Sequence, residues 1–149
     1  MKDIMERIKL ILDINILISG IIKKNSIIRD ILVSNKIEFF APEFVLTEIE
    51  KHSEFIQNKS NLNEIEFYFT LGYLMRKVKI IKKRYYARNL QKAEDIMRNI
   101  DIYDSEFLAL VMSIPNDGIF SRDGDFDKAG VKRWYVGDIL YTSPQIAQA

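Results

Sequence analysis

Lys9-Leu10-Ile11-Leu12 runs directly into Asp13, which is followed by Ile14-Asn15-Ile16-Leu17-Ile18. A short, unbroken apolar run that halts at a carboxylate reads as a strand buried on both faces, the kind found inside a parallel sheet. The rest of the chain supports that reading. Residues 26–35 suit a helix with Ser26 as N-cap, and Ile37 to Ala41 a second strand ended by Pro42. A helix is expected from Glu43 to about Gln57, entered through Pro42. Two further helices, over 62–77 and 85–99, flank a third strand at Val78-Lys79-Ile80-Ile81. Tyr103 to Ser113 reads as a helix and Pro115-Asn116-Asp117-Gly118 as a turn. Ile119-Phe120-Ser121 is then a fourth strand, and Val131 to Val136 a fifth. Strands alternating with helices predict an α/β domain with a mainly parallel sheet of about five strands.

The 149 residues contain no repeat, linker or low-complexity tract, so a single domain over 1–149 is expected, with a core over about 9–141 and a flexible tail from Ser143. Hydrophobic residues at 48% and charged residues at 29% exclude a disordered chain. With no cysteine, disulfides, cysteine–zinc sites and thiol nucleophiles are excluded, and a reducing compartment fits. Residues 1–9 are of mixed charge rather than a basic head with an apolar core. The longest apolar stretch, Leu10 to Ile22, is interrupted by Asp13 and Asn15 and is too short to span a bilayer. A soluble, cytoplasmic protein without membrane contact is expected. The formal net charge of +1 advertises no polyanion partner, although an acidic pocket beside a basic rim would give the same total.

Four carboxylates stand where they need an explanation. Ligands of open α/β sheets gather beyond the carboxyl ends of the strands. Asp13 lies at that end of the first strand, and Asp123 two residues past the fourth. Either alone reads equally well as a turn or cap residue. The helical acids are more telling. At about 100° per residue, Glu48 falls roughly 60° from Val45, inside an apolar arc that also holds Phe44, Ile49, His52, Phe55 and Ile56. Asp104 likewise shares a face with Phe107, Leu108, Val111 and Met112, whereas Glu106 points about 200° away. A buried carboxylate must be protonated, paired or metal-bound. A lysine or arginine from another element would serve, as would a capping role for Asp104. Convergence of all four would instead call for a divalent ion, and hard Mg²⁺ or Mn²⁺ suits carboxylate and water oxygens.

At these residues the chain resembles the PIN-domain nucleases. Asp13-Ile14-Asn15 is similar to the family's opening Asp-x-Asn motif, and Glu48 in Val45-Leu46-Thr47-Glu48-Ile49 to its helical glutamate. Asp104-Ser105-Glu106-Phe107-Leu108 resembles the third acidic motif, and Ser121-Arg122-Asp123-Gly124-Asp125-Phe126 the fourth. The likeness covers about residues 9–141. It implies a three-layer α/β/α sandwich around a five-stranded parallel sheet, Mg²⁺ or Mn²⁺ dependence and cleavage of single-stranded RNA. It also implies metal-ligand and catalytic roles for Asp13, Glu48, Asp104 and Asp123, with Asn15 and Ser121 orienting ligands and waters from behind. Asp101 and Asp125 are reserve ligands in the same neighbourhood.

Lys82, Lys83 and Arg84, beside Tyr85 and Tyr86, could grip RNA phosphates or simply form a solvated strand edge and helix start. His52, the one histidine, is expected to be a core residue, and Trp134 to pack in the sheet. Phe67, Tyr68, Phe69 and Tyr73 exceed the needs of one helix face and mark a candidate homodimer contact. The small size suits the toxin of a toxin–antitoxin pair, which would require an antitoxin protein. Two other classes stay open: a catalytically inactive PIN-like scaffold, which would bind no metal, and a phosphohydrolase with an aspartyl nucleophile, which would need a cation in its pocket. The absence of a glycine-rich phosphate loop argues against a nucleotide switch.

Overall fold

The structure, a computed structural model, describes residues 7–148. The first six residues, within the stretch read for a secretory signal, lie outside the described residues. Five strands form one sheet in the order β3-β2-β1-β4-β5, every pair parallel: β1 (Ile8–Leu12), β2 (Ile37–Pro42), β3 (Val78–Ile81), β4 (Ile119–Phe120) and β5 (Arg133–Trp134). Helices cover both faces, giving the three-layer α/β/α arrangement. Leu10, Ile11 and Leu12 have no exposed surface, as expected for the central strand of a covered parallel sheet.

The helices are α1 (Ile14–Ile22), α2 (Ile27–Val33), α3 (Phe44–Lys51), α4 (Ser53–Ser60), α5 (Glu64–Met75), α6 (Leu90–Met97), α7 (Ser105–Ser113), α8 (Asp125–Lys128) and α9 (Val136–Thr142). Helices α1, α2, α4 and α5 pack on one another, while α6 pairs with α7, which lies against β1 and β2. No helix among the described residues is long and apolar enough to cross a membrane.

Several elements depart from the sequence reading. Helix α1 was not expected, since its isoleucine-rich sequence is intrinsically indifferent to helix and strand. Tertiary burial decides it: Ile16, Leu17 and Ile21 are fully or almost fully buried. Gly20 lets Ile28, Leu32 and Leu74 approach within 3.4 Å of where a Cβ would stand. Arg29 finishes the helix by donating from Nε to the Gly20 carbonyl (2.6 Å) and from Nη2 to that of Ile21 (3.1 Å).

The single helix expected over 43–57 is two, broken at His52 (φ −100°, ψ 8°). Past the break the inner arc holds only in part: Ile56 stays fully buried. Phe55, assigned to the inner arc, is 57% exposed, and the His52 side chain is 46% exposed rather than in the core. Glu48 precedes the break and keeps its inward position, with its side chain 13% exposed.

The helix expected over 85–99 is shorter. Two 3-10 turns, Lys83–Tyr85 and Ala87–Asn89, come before α6 because Tyr86 turns inward, fully buried, and donates its hydroxyl to Glu106. Glu106 is therefore engaged rather than simply solvated. The fifth strand is only two residues long, and Ser121 lies just past β4, although its amide still donates to the Trp134 carbonyl. Beyond Ser143 the chain forms a 3-10 turn, Pro144–Gln148, with Ile146 buried, instead of running on as a loose tail.

The turn before β4 ties the sheet together at the edge opposite the carboxyl ends. Asp117 brackets Lys9, its amide donating to the Lys9 carbonyl and its carboxylate accepting from the Lys9 amide. Gly118 has φ +135°, and a Cβ there would stand 2.4 Å from the Lys132 carbonyl oxygen, so only glycine fits.

Candidate functional site

Asp13 follows β1 directly, and Ser121 and Asp123 follow β4, the strand hydrogen-bonded beside it. Parallel pairing thus carries both segments to the same edge of the sheet. Asp104 arrives from the other side, at the entry to α7, after a 3-10 turn (Ile102–Asp104) held by Asp101 Oδ1, which accepts from the Tyr103 amide at 3.0 Å.

Ser121 links the segments. Its hydroxyl donates to Asp13 Oδ2 at 2.7 Å and accepts from the Asp123 amide at 2.9 Å. Asp123 Oδ1 in turn accepts from the Asp125 amide at 2.9 Å. One carboxylate oxygen from each of Asp101, Asp104, Asp123 and Asp125 lies within 4.8 Å of all the others. Asp13 adjoins this group through Ser121. Glu48 lies outside it but lines the same pocket as Asp104, Asp101 and Asn15, with His52 Nε2 at 3.9 Å. The two reserve acids therefore belong to the tightest cluster, and Glu48 flanks it. Lys82 follows β3 at the carboxyl edge, and Lys83 and Arg84 begin the 3-10 turn after it, with the Lys83 amide donating to Glu43.

The ordinary explanations for buried acids do not hold here. Asp13 and Asp104 occupy the N-cap positions of α1 and α7, yet neither side chain makes a capping hydrogen bond. Among the described residues no lysine or arginine pairs with Asp13, Asp101, Asp104 or Asp123; Lys128, 3.7 Å from Asp125, is the one cation on the cluster. Two buried carboxylate oxygens, Asp13 Oδ1 and Asp104 Oδ2, have no partner at hydrogen-bonding geometry among the described residues, although the Ile14 and Asn15 amides lie close enough to Asp13 to favour its charge. Burial drives the Asp104 carboxyl from 3.8 up to about 8, with repulsion from Asp13, Asp101, Asp123 and Asp125 adding to it. Burial also lifts Asp13 to about 6, against the Ser121 hydrogen bond and with Asp123 pushing the same way. Clustered acids with orphaned oxygens and an all-oxygen donor set fit a hard divalent cation, which would supply the missing partner for each.

The model for the PIN domain matches residues 11–142. The chain belongs to the PIN-domain family. Curated proteins show no match to it. The PIN domain is a nuclease fold, and PIN nucleases use divalent metal ions. A cavity of about 520 Å³ lies beside Gly118 and Lys132, at the opposite edge of the sheet.

Sequence reasoning passed over two residues of the site and set aside a third. Lys51 and His52 line the acidic pocket, as does Tyr103. The signal was present in the spacing: Lys51 and His52 stand three and four residues after Glu48, hence on its side of the helix, and Tyr103 directly precedes Asp104.

Proposed function

We propose that this PIN domain is a metal-dependent endoribonuclease that hydrolyses phosphodiester bonds of single-stranded RNA. The observation that carries the reading is the pair of unpartnered buried oxygens, Asp13 Oδ1 and Asp104 Oδ2, set against an acid cluster with almost no cation. Asp104, Asp123, Asp101 and Asp125 would hold the ion, with Asp13 beside them and Glu48 on the pocket wall. Bound Mg²⁺ or Mn²⁺ would lower the pKa of a water and neutralise charge on the phosphate.

The chain's own residues do the positioning. Ser121 aims Asp13 and fixes the Asp123 backbone, so that two ligand segments keep one geometry. The N-termini of α1 and α7 meet at the acids, and their partial positive charge favours the ionised carboxylates. Asn15, exposed and lining the pocket, would orient a water or a phosphate oxygen. Lys82, Lys83 and Arg84 offer phosphate contacts farther along the carboxyl edge.

The reading extends to a cytoplasmic toxin restrained by an antitoxin protein, acting as a homodimer. Its test is cleavage of labelled single-stranded RNA by purified protein in Mg²⁺ or Mn²⁺. Asp104→Asn is expected to lower the rate by about 10²-fold or more, and chelation to abolish it. Cleavage that survives both would overturn the assignment. Absence of both activity and Mn²⁺ binding would favour an inactive scaffold.

A further inference from the structure

The acidic pocket has a rim that the metal chemistry does not need. Tyr103 is 68% exposed, and its backbone is held by the hydrogen bond to Asp101. The Lys51 ammonium sits over its ring, 5.8 Å from the centroid. Both side chains line the cavity of about 270 Å³ shared with Asn15, Glu48 and Asp104. An exposed cation–aromatic pair adds little to stability, and an exposed tyrosine ring adds less. Folding therefore does not explain why a flat aromatic and an ammonium with no carboxylate partner among the described residues stand at the mouth of an acid cluster.

Recognition does. We infer that Tyr103 and Lys51 form a nucleotide subsite beside the acids, in which Tyr103 stacks the base of a single-stranded polynucleotide and Lys51 receives its phosphate. The subsite rests on the nuclease reading for its position in the reaction, though not for its chemistry. Every base offers a π-face, so a lone ring reads strandedness rather than sequence. A paired base has both faces covered by its neighbours and cannot stack on Tyr103. Lys51 supplies positive charge on a wall that otherwise repels phosphate. The cavity lies below the range of about 300–1,000 Å³ typical of whole small-molecule ligands, which suits one residue of a longer strand. Because Tyr103 is adjacent to Asp104 in the chain, a base stacked there places a neighbouring phosphodiester at the acids.

The test uses a single-stranded oligoribonucleotide carrying 2-aminopurine, whose fluorescence is quenched by stacking, with Asp104→Asn protein so that the strand stays intact. Quenching is expected on binding, and Tyr103→Ala is expected to remove it and weaken affinity roughly 5- to 150-fold. Tyr103→Phe, which keeps the ring, restores both. Lys51→Met lowers the slope of log affinity against log salt by about 0.7, the value of one single-strand phosphate contact. In cleaving protein the Tyr103→Ala loss falls on KM rather than kcat. Unchanged quenching and KM in Tyr103→Ala, with RNA still cleaved by the parent, sinks the subsite and leaves the nuclease standing. Quenching that depends on Tyr103 in a protein that cleaves nothing keeps the subsite and removes the nuclease.

Discussion

Asp104 binds its proton far more tightly in the folded chain than in the unfolded one, with a pKa near 8 against 3.8. Without metal, its contribution to stability is full below about pH 4 and is lost as pH rises through 8. Asp13 adds a loss of the same sign between 3.8 and about 6. Asp104→Asn, which cannot ionise, should therefore gain on the parent protein as pH is raised from 5 to 8 in chelator, a gain read as a difference in melting temperature. Mn²⁺ should reverse the order at pH 8 by stabilising the parent alone, since the ion displaces the proton and pairs the charge. A melting difference that is flat in pH would mean that Asp104 carries no such burden. At this scale the sequence was largely legible. Asp13 and Asp123 were recognisable from their places after strands, and Asp104 from its apolar face. Which acids stand closest was not, because the members of the pairs Asp101/Asp104 and Asp123/Asp125 can be told apart only by the turns that aim them. Asp101 is fixed by a backbone hydrogen bond that no periodicity reveals.

Helix α1 shows why whole elements could escape notice. Its isoleucines have weak intrinsic helix preference, so helical form depends on what α2 and α5 pack against it. The Arg29 guanidinium closes its carboxyl end with two bonds to backbone carbonyls. Arg29→Met should cost about 1.5–3 kcal/mol, measured as a shift in urea midpoint at unchanged slope. A loss below about 0.5 kcal/mol, the level of an ordinary surface change, would show that the cap is idle. Helices α3 and α4 teach the converse. An unbroken 3.6-residue pattern placed Glu48 and Ile56 inward as they are, but misplaced His52 and Phe55 at a break that no proline or glycine announces. Position along an element is read well near its start and poorly beyond an interruption.

At the scale of the whole molecule, α5 is apolar on both faces. Phe67 and Leu74 are buried, while Ile65 (81% exposed) and Phe69 (78%) line the outside with Tyr73 and Gly72. At about 100° per residue, Ile65, Phe69, Gly72, Tyr73 and Arg76 fall within roughly 100° of arc. An exposed apolar stripe of this kind is normally covered. A second copy is the cover proposed for it: Glu66, which also caps the helix through Asn63, borders the stripe near one end and Arg76 stands at the other. Two copies packed antiparallel about a two-fold axis would set each glutamate toward the other's arginine. Sedimentation equilibrium should find a dimer, and Phe69→Glu a monomer that still unfolds cooperatively but whose melting temperature no longer depends on concentration; a monomeric parent at about 100 μM, far above the μM range that such an interface can reach, would refute the pairing.

Strand β1 stands in the middle of the sheet, with β2 and β3 on one flank and β4 and β5 on the other. A chain leaving the ribosome can lay down the first flank early, while everything from Asp101 onward is still untranslated. Until β4 docks, Asp13 borders water and has no neighbouring acid from the later segments to contend with. The constellation closes only when the segment from Asp101 to Asp125 arrives, so the acids stay apart for as long as the first flank stands alone.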